Sequence, residues 1–228
     1  VKESVQMPDI YPLGEHCYVL QAPEPVTLPQ QQKIWAIAEQ LRARPEMIDV
    51  VPGMNNLTVR VQPNAVTHDG SDEYRDVCAL FCHYWATDDM ILTTGRSLEI
   101  AVTFGGEAGP DLVSVAKHAG LSTDAVIRLY TAAEYRVYFL GFQPGFAYLG
   151  GLPEALHTPR HTSPRTKIPA GSVAIGGAQT GIYPNASPGG WQVIGRTDVV
   201  LFDPQRSQPS FWLPGDRVTF TVAEVDGD

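Results

Sequence analysis

Hydrophobic and polar positions alternate along this chain in two rhythms, first of mixed helix and strand, then mostly of strand. His16 to Leu20 is a short apolar run with a β-branched residue and predicts a first strand; residues 1–14, with Pro8 and Pro12, read as an irregular lead-in. Pro23, Pro25 and Pro29 mark a turn into a helix. From 29 to 44 the side chains Ile34, Trp35, Ile37, Ala38 and Leu41 recur at three- and four-residue spacing, and Pro45 stops the pattern. Met47 to Val51 and Leu57 to Val61 predict two strands paired through the turn Pro52-Gly53-Met54-Asn55-Asn56. After the polar stretch 62–72, a second helix runs from Tyr74 to Trp85, with Val77, Leu80, Phe81, Tyr84 and Trp85 on one side. The order β-α-β-β-α fits a split βαβ, ferredoxin-like unit. It contains no nucleophile constellation, metal cluster or phosphate loop, so it reads as a structural or docking domain. Its Gly53 to Asn56 turn is either a ligand contact or a hairpin turn that needs Asn and Gly.

A polar hinge is expected at 88–95. Beyond it, Ser97 to Phe104 alternates through Leu98, Ile100, Val102 and Phe104, the pattern of a strand with one buried face. The turn Gly105-Gly106-Glu107-Ala108-Gly109-Pro110-Asp111 then leads into a helix over 112–119. It lacks the Gly-Lys-Ser/Thr ending of a nucleotide loop and the G-x-G-x-x-G spacing, and reads as a flexible turn before a Pro-Asp helix start. Ser122-Thr123-Asp124 offers a cap for a helix over 125–131, and Tyr135 to Leu140 predicts a strand. The tail predicts two more strands, Val199 to Phe202 and Leu213 to Val222, the second opening on a Pro-Gly-Asp turn. The expected architecture is α+β: a ferredoxin-like domain over 1–94, then a mostly β, closed-barrel domain over 95–228.

Leu140 to Arg196 departs from both rhythms. It holds 11 of the 21 glycines and 7 of the 19 prolines, with Phe142, Phe146, Tyr148, Tyr183 and Trp191 between them. Glycine permits φ > 0 and close backbone approach, and proline fixes φ, so the stretch predicts packed loops and short strands. It also carries four Lys or Arg against one acid, whereas the whole chain has a net charge of -9. Two readings stay open. A cationic, aromatic-lined, Gly-rich surface suits a small anion, carboxylate or phosphate; alternatively, turns need glycine and the arginines are solvated.

Totals narrow the classes. Apolar content of 43% and charged content of 18% are those of a globular chain, and the acidic balance argues against nucleic acid. No apolar run approaches a membrane span, and the N-terminal segment lacks the basic and apolar regions of a secretory signal. Three cysteines, Cys17, Cys78 and Cys82, make an odd count, which points to a reducing cytoplasm. Cys78, Cys82 and His83 lack the further ligands a metal would need and read as helical thiols, so no metal is expected.

Several segments then carry a resemblance: GFQPGFAYL, TPR…PR, PAGSVAIGG-QTGIYP and PGGWQVIGRT within 141–197, EIAVTFGGEAGPDL at 99–112, VPGMNNLTV at 51–59, and LFDP…PGDRVTF near the end. In this order, over nearly the whole chain, they resemble the allophanate hydrolase subunit 1 family. That family includes the sporulation kinase inhibitor and one half of the urea carboxylase carboxyltransferase domain. The resemblance implies a ferredoxin-like N-terminal domain and a cyclophilin-like barrel. The wording GFQPGFAYLGGLPEALHTPR is most similar to the ATP-dependent 5-oxoprolinase branch. There, a B subunit works with a C subunit (allophanate hydrolase subunit 2-like) and an A subunit (LamB/YcsF-like) to cleave 5-oxo-L-proline to L-glutamate. It implies a hydrolase of a cyclic amide, inactive alone, in a complex that uses ATP. The sister activities are inhibition of a sensor histidine kinase and a place in an allophanate hydrolase or urea carboxylase system. For the last, the chain lacks a biotinyl Met-Lys-Met motif.

Opening an unstrained lactam requires activation of its amide oxygen, as by phosphorylation, with cations for phosphate and carboxylate and donors aimed at the oxyanion. Arg165, Lys167 and Gln179 are the candidate catalytic residues; Gln143, Arg160, Thr180, Tyr183, Trp191 and Arg196 are the candidate substrate contacts. Arg196 is either a ligand contact or the partner of an acid in the barrel. His157 and His161 flank Arg160 and read as solvated loop histidines rather than general bases.

Overall fold

The computed structural model describes residues 6–63, 73–87 and 95–226; all but Gly95 of the hinge expected at 88–95, and most of the polar stretch 62–72, lie outside them. The chain divides into two compact units, Val1–Thr94 and Gly95–Asp228.

The first unit is a four-stranded antiparallel sheet covered by two helices. In chain order these are β1 (Asp9–Pro12), β2 (Cys17–Gln21), α1 (Leu28–Arg42), β3 (Met47–Pro52), β4 (Asn56–Val61) and α2 (Glu73–Ala86). Helix α1 starts where Thr27 and Gln30 close a reciprocal capping box, and it buries Ile34, Trp35, Ile37, Ala38 and Leu41. Ile34, Ile37, Ala38 and Leu41 meet Leu20, Leu57, Val59, Val77, Phe81 and Trp85 in one core. The sheet order is β1-β2-β4-β3. A complete split βαβ pair would fill the position beside β2 with a strand following α2; here β1 fills it, in register from Asp9↔Gln21 to Pro12↔Tyr18. The irregular lead-in expected before residue 14 is thus in part a strand. Proline suits it because β1 is at the edge of the sheet.

The Gly53 to Asn56 turn is structural. Asn55 adopts φ 59°, and its N–H donates to Gln31 Oε1 at 2.8 Å. Its Nδ2 donates to the carbonyl of Ala22 at 2.8 Å.

The second unit is a closed barrel with two helices. Its elements are β5 (Ser97–Gly105), α3 (Leu112–Ala119), α4 (Thr123–Ala132), β6 (Tyr135–Leu140), β7 (Ala147–Gly150), β8 (Arg165–Ile168), β9 (Ser172–Gly176), β10 (Gln179–Ile182), β11 (Ser187–Gly189), β12 (Gln192–Arg196) and β13 (Arg217–Asp226). The barrel runs β10-β7-β6-β13-β5-β12-β9, and β8 pairs with β11 in a separate two-stranded ribbon. β5 sends Ile100, Val102 and Phe104 inward, where Phe104, Tyr130, Tyr135 and Phe220 form an interlocked set of rings. β13 closes the barrel, parallel to β5 and antiparallel to β6.

Two expectations for the tail are corrected. Val199 to Phe202 forms no strand; it makes only an isolated bridge between Phe202 and Ser210. Leu201 is buried there while Val200 is exposed, so the apolar run anchors a loop rather than joining a ladder. The last strand begins at Arg217, not Leu213, because Leu213 to Asp216 is a turn in which the Leu213 N–H donates to Asp216 Oδ2 at 2.8 Å.

Candidate functional site

The Gly- and Pro-rich stretch folds into the ribbon and one side of the barrel, and it shapes two depressions. The first is cationic. Arg165, Lys167 and the buried Ile168 of β8 line a depression of about 220 Å³ with Arg196, Glu107, Ser172 and Val193. Among the described residues neither Lys167 nor Arg196 forms an ion pair, which places Arg196 as an unpaired cation on the wall rather than the partner of a barrel acid.

Arg165 differs. Its Nη1 and Nη2 donate to Asp111 Oδ2 and Oδ1, each at 2.7 Å, in a bidentate fork. Asp111 Oδ2 also accepts the Val193 N–H at 2.7 Å, and the Asp111 N–H donates back to the Val193 carbonyl at 2.8 Å. This approach depends on Gly109, where a Cβ would lie 2.0 Å from the Ile194 carbonyl oxygen. His161 is no solvated loop residue. Its Nε2 lies 3.0 Å from Arg165 Nη1 and 3.3 Å from Asp111 Oδ2. Burial alone would raise the Asp111 carboxyl, but Arg165, the Val193 N–H and His161 outweigh it and hold it below its ordinary value. Hydrogen bonding to Asp111 holds the Arg165 guanidinium more firmly protonated in return.

The second depression is an aromatic slot of about 100 Å³ between Phe142, Phe146, Tyr148, Tyr183 and Trp191, with Arg160 at its rim. Phe146 meets Tyr183 and Trp191 edge-on at 5.4 and 5.5 Å. The Trp191 ring lies directly over Gly176, where a Cβ would be 2.4 Å from the indole. The loop bearing Arg160 is pinned at both sides: Gln192 Nε2 donates to the Pro159 carbonyl at 2.9 Å, and the His161 N–H donates to the Gly190 carbonyl at 2.7 Å. This sets the Arg160 guanidinium 5.4 Å from the Trp191 ring centroid, a cation–π distance. Tyr183 is electrostatically linked to both depressions. Burial raises its phenol, while Arg160 and Arg165 pull in the opposite direction.

Of the residues singled out in the sequence, Arg165, Lys167 and Arg196 meet in one depression, and Arg160, Tyr183 and Trp191 in the other. Gln143 is beside the ribbon, its Nε2 3.5 Å from Ser187 Oγ. Gln179 opens β10 opposite Gly176 and lines neither depression. Thr180 points into the barrel: it is fully buried, its Oγ1 donates to the Ala174 carbonyl at 2.8 Å, and it lies 2.8 Å from the Tyr130 hydroxyl. It is a core residue rather than a substrate contact. Asp111 escapes a reading of the sequence because its partners are 54 and 82 residues away along the chain. Among the described residues, no group of three or more His, Cys, Asp or Glu is placed to hold a metal ion, and no helix is long and apolar enough to cross a membrane.

Comparison with known proteins follows the same lines. The family model for the carboxyltransferase domain, subdomain C and D, matches residues 8–212. A protein of Escherichia coli O157:H7, named as the B subunit of 5-oxoprolinase, is 47% identical over 218 residues, 95% of this chain and 96% of its own length. One of the same name from Haemophilus influenzae is 44% identical over 218 residues, 96% of this chain and 99% of its own. The crystal structure of TTHA0988 superposes with a TM-score of 0.76 at 38% identity, covering 91% of this chain; this chain spans only 39% of that longer one.

Proposed function

Since the chain belongs to the carboxyltransferase domain family of subdomains C and D, we propose that it is the B subunit of a multi-component 5-oxoprolinase, which converts 5-oxo-L-proline to L-glutamate with ATP. The observation that carries this reading is its 47% and 44% identity, over 95% and 96% of the chain, with two proteins of that name. The site supports it in kind. A lactam is a poor electrophile until its oxygen carries a leaving group, so the working site must hold a small ring acid and a phosphoryl group side by side. The aromatic slot suits the ring, with Arg160 at its rim for the carboxylate. Lys167 and Arg196 suit the phosphoryl group. Arg165, although paired with Asp111, retains N–H groups for the developing oxyanion, because guanidinium has five donors. Gln143 is the proposed donor to the lactam amide.

The slot, at about 100 Å³, is smaller than the few hundred Å³ of a finished ligand site. We therefore read the chain as a half-site that the C subunit completes, with the A subunit as the third component. The longer TTHA0988 chain, which contains an equivalent of this one, accords with such a pairing. The three free thiols accord with a cytoplasmic setting.

The test is co-purification with the neighbouring subunits and a coupled assay of 5-oxoproline-dependent ATP hydrolysis. Hydrolysis that needs every component and falls on Lys167→Ala supports the reading. An intact complex without it would refute the function, and full-rate turnover by the isolated chain would refute the half-site.

A further inference from the structure

We propose that Asp111 is a positioning residue of this site: its carboxylate sets the Arg165 guanidinium, and with it strand β8, along the cationic depression. The proposal rests on the reading that this depression receives the activated lactam.

Position in the chain first suggests another job. Asp111 immediately precedes α3, where an aspartate ordinarily accepts from the first free N–H groups of the helix. Here it makes no such bond: φ is -103° and ψ 0°, and the side chain caps nothing. The carboxylate turns instead toward β8 and β12, where it meets both Nη atoms of Arg165, the Val193 N–H and His161 Nε2. It is 4% exposed. Burying a carboxylate is unfavourable unless partners satisfy it. Forgoing the cap to make a complete set of partners therefore marks the fork as the reason the residue is there.

The geometry also says what is fixed. Arg165 and Lys167 are on the same face of a ribbon that is separate from the barrel sheet. Asp111 ties that ribbon to the start of α3 and, through Val193, to β12. Losing the tie frees Arg165 and lets Lys167 move with β8, while the aromatic slot and Arg160 keep their own supports at Gly176, Gln192 and Gly190. The disturbance thus falls on the reacting end of the ligand rather than on its capture.

In the assembled complex, Asp111→Asn keeps the shape and an acceptor for Val193 but removes the charge. We expect kcat for 5-oxoproline-dependent ATP hydrolysis to fall about 100-fold, the scale of a small misplacement, with KM for 5-oxoproline little changed. In an Arg165→Gln background the same substitution is expected to lower kcat no further, because it acts through Arg165. Arg165→Lys, which keeps the charge but cannot make the fork, is expected to reproduce the loss and serves if Asp111→Asn does not fold. All are read well below each variant's melting temperature. An unchanged kcat in Asp111→Asn or Arg165→Lys, or fully additive losses in the double variant, would overturn the proposal. If the unsubstituted complex shows no such hydrolysis, the functional reading fails on its own. Asp111 is then judged by NMR of the Arg165 guanidinium in the full chain. Hindered rotation and slow hydrogen exchange, both lost in Asp111→Asn, are expected; their retention overturns the proposal.

Discussion

Replacing Thr180 by valine separates a core role from a ligand role by measurement. Thr180 Oγ1 donates to the Ala174 carbonyl and so accepts from the Tyr130 hydroxyl, both at 2.8 Å, and Tyr130 is fully buried among Phe104, Tyr135 and Phe220. Valine keeps the shape but strands the Tyr130 O–H, and a buried polar group left without a partner costs about 1–3 kcal/mol. For a chain of this size each kcal/mol moves the melting temperature by roughly 2–4 °C, so a loss of about 4–8 °C is expected at mid-range. Tyr130→Phe in the same chain removes the stranded hydroxyl, and the double variant should recover most of the loss, because removing both partners of a buried hydrogen bond is nearly neutral. The assays are thermal melts of the four proteins of the cycle and KM for 5-oxoproline in the complex. A several-fold rise in KM with an unchanged melt would refute the reasoning and place Thr180 at the ligand.

Three further outcomes follow from the site. Gly176→Ala would put a Cβ into the Trp191 indole, so the slot should distort, with KM for 5-oxoproline rising at least severalfold and the Trp fluorescence shifting. Arg196→Ala, at an exposed position without an ion pair among the described residues, should weaken activity about tenfold while moving the melting temperature by no more than about 2 °C, checked by kinetics and melts together. Because the Asp111 carboxyl is held below its ordinary value, the stability it contributes is complete above about pH 4 and is lost as pH falls through the lower folded value. Acid melts of the unsubstituted chain should therefore fall more steeply below that pH than those of Asp111→Asn.

Much of this is legible in the sequence, and the failures have physical causes. The helices are readable because Ile34, Ile37 and Leu41 keep a helical period, and β5 because Ile100, Val102 and Phe104 keep a period of two. β1 is hidden by Pro12 and by Pro8 just before it: an edge strand tolerates Pro12, and local propensity cannot tell an edge from a loop. Val199 to Phe202 misleads in the opposite sense, since β-branched content predicts extended backbone but not whether a partner strand lies alongside. In the site, residue type identifies the cations and aromatics. Thr180 is mistaken for a ligand contact because a hydroxyl in a Gly-rich run looks the same whether it faces a ligand or Tyr130. Asp111 stays hidden because its role exists only once β8 and β12 reach it.

The strand that closes the barrel is also the last of the described barrel strands in chain order. β13 lies between β5 and β6, so both of its neighbours leave the ribosome many residues before it. Until Arg217 to Asp226 emerge, β5 and β6 expose open edges and the ring cluster lacks Phe220. The nascent second unit must wait as an unsealed sheet, with closure resting on contacts distant in sequence, Arg217 with Ser97 of β5 and with Arg136 of β6. Such an intermediate is the form in which this chain is most exposed to wrong pairing. A premature stop just before Arg217 would thus release a sheet in which β5 and β6 lack the strand that joins them.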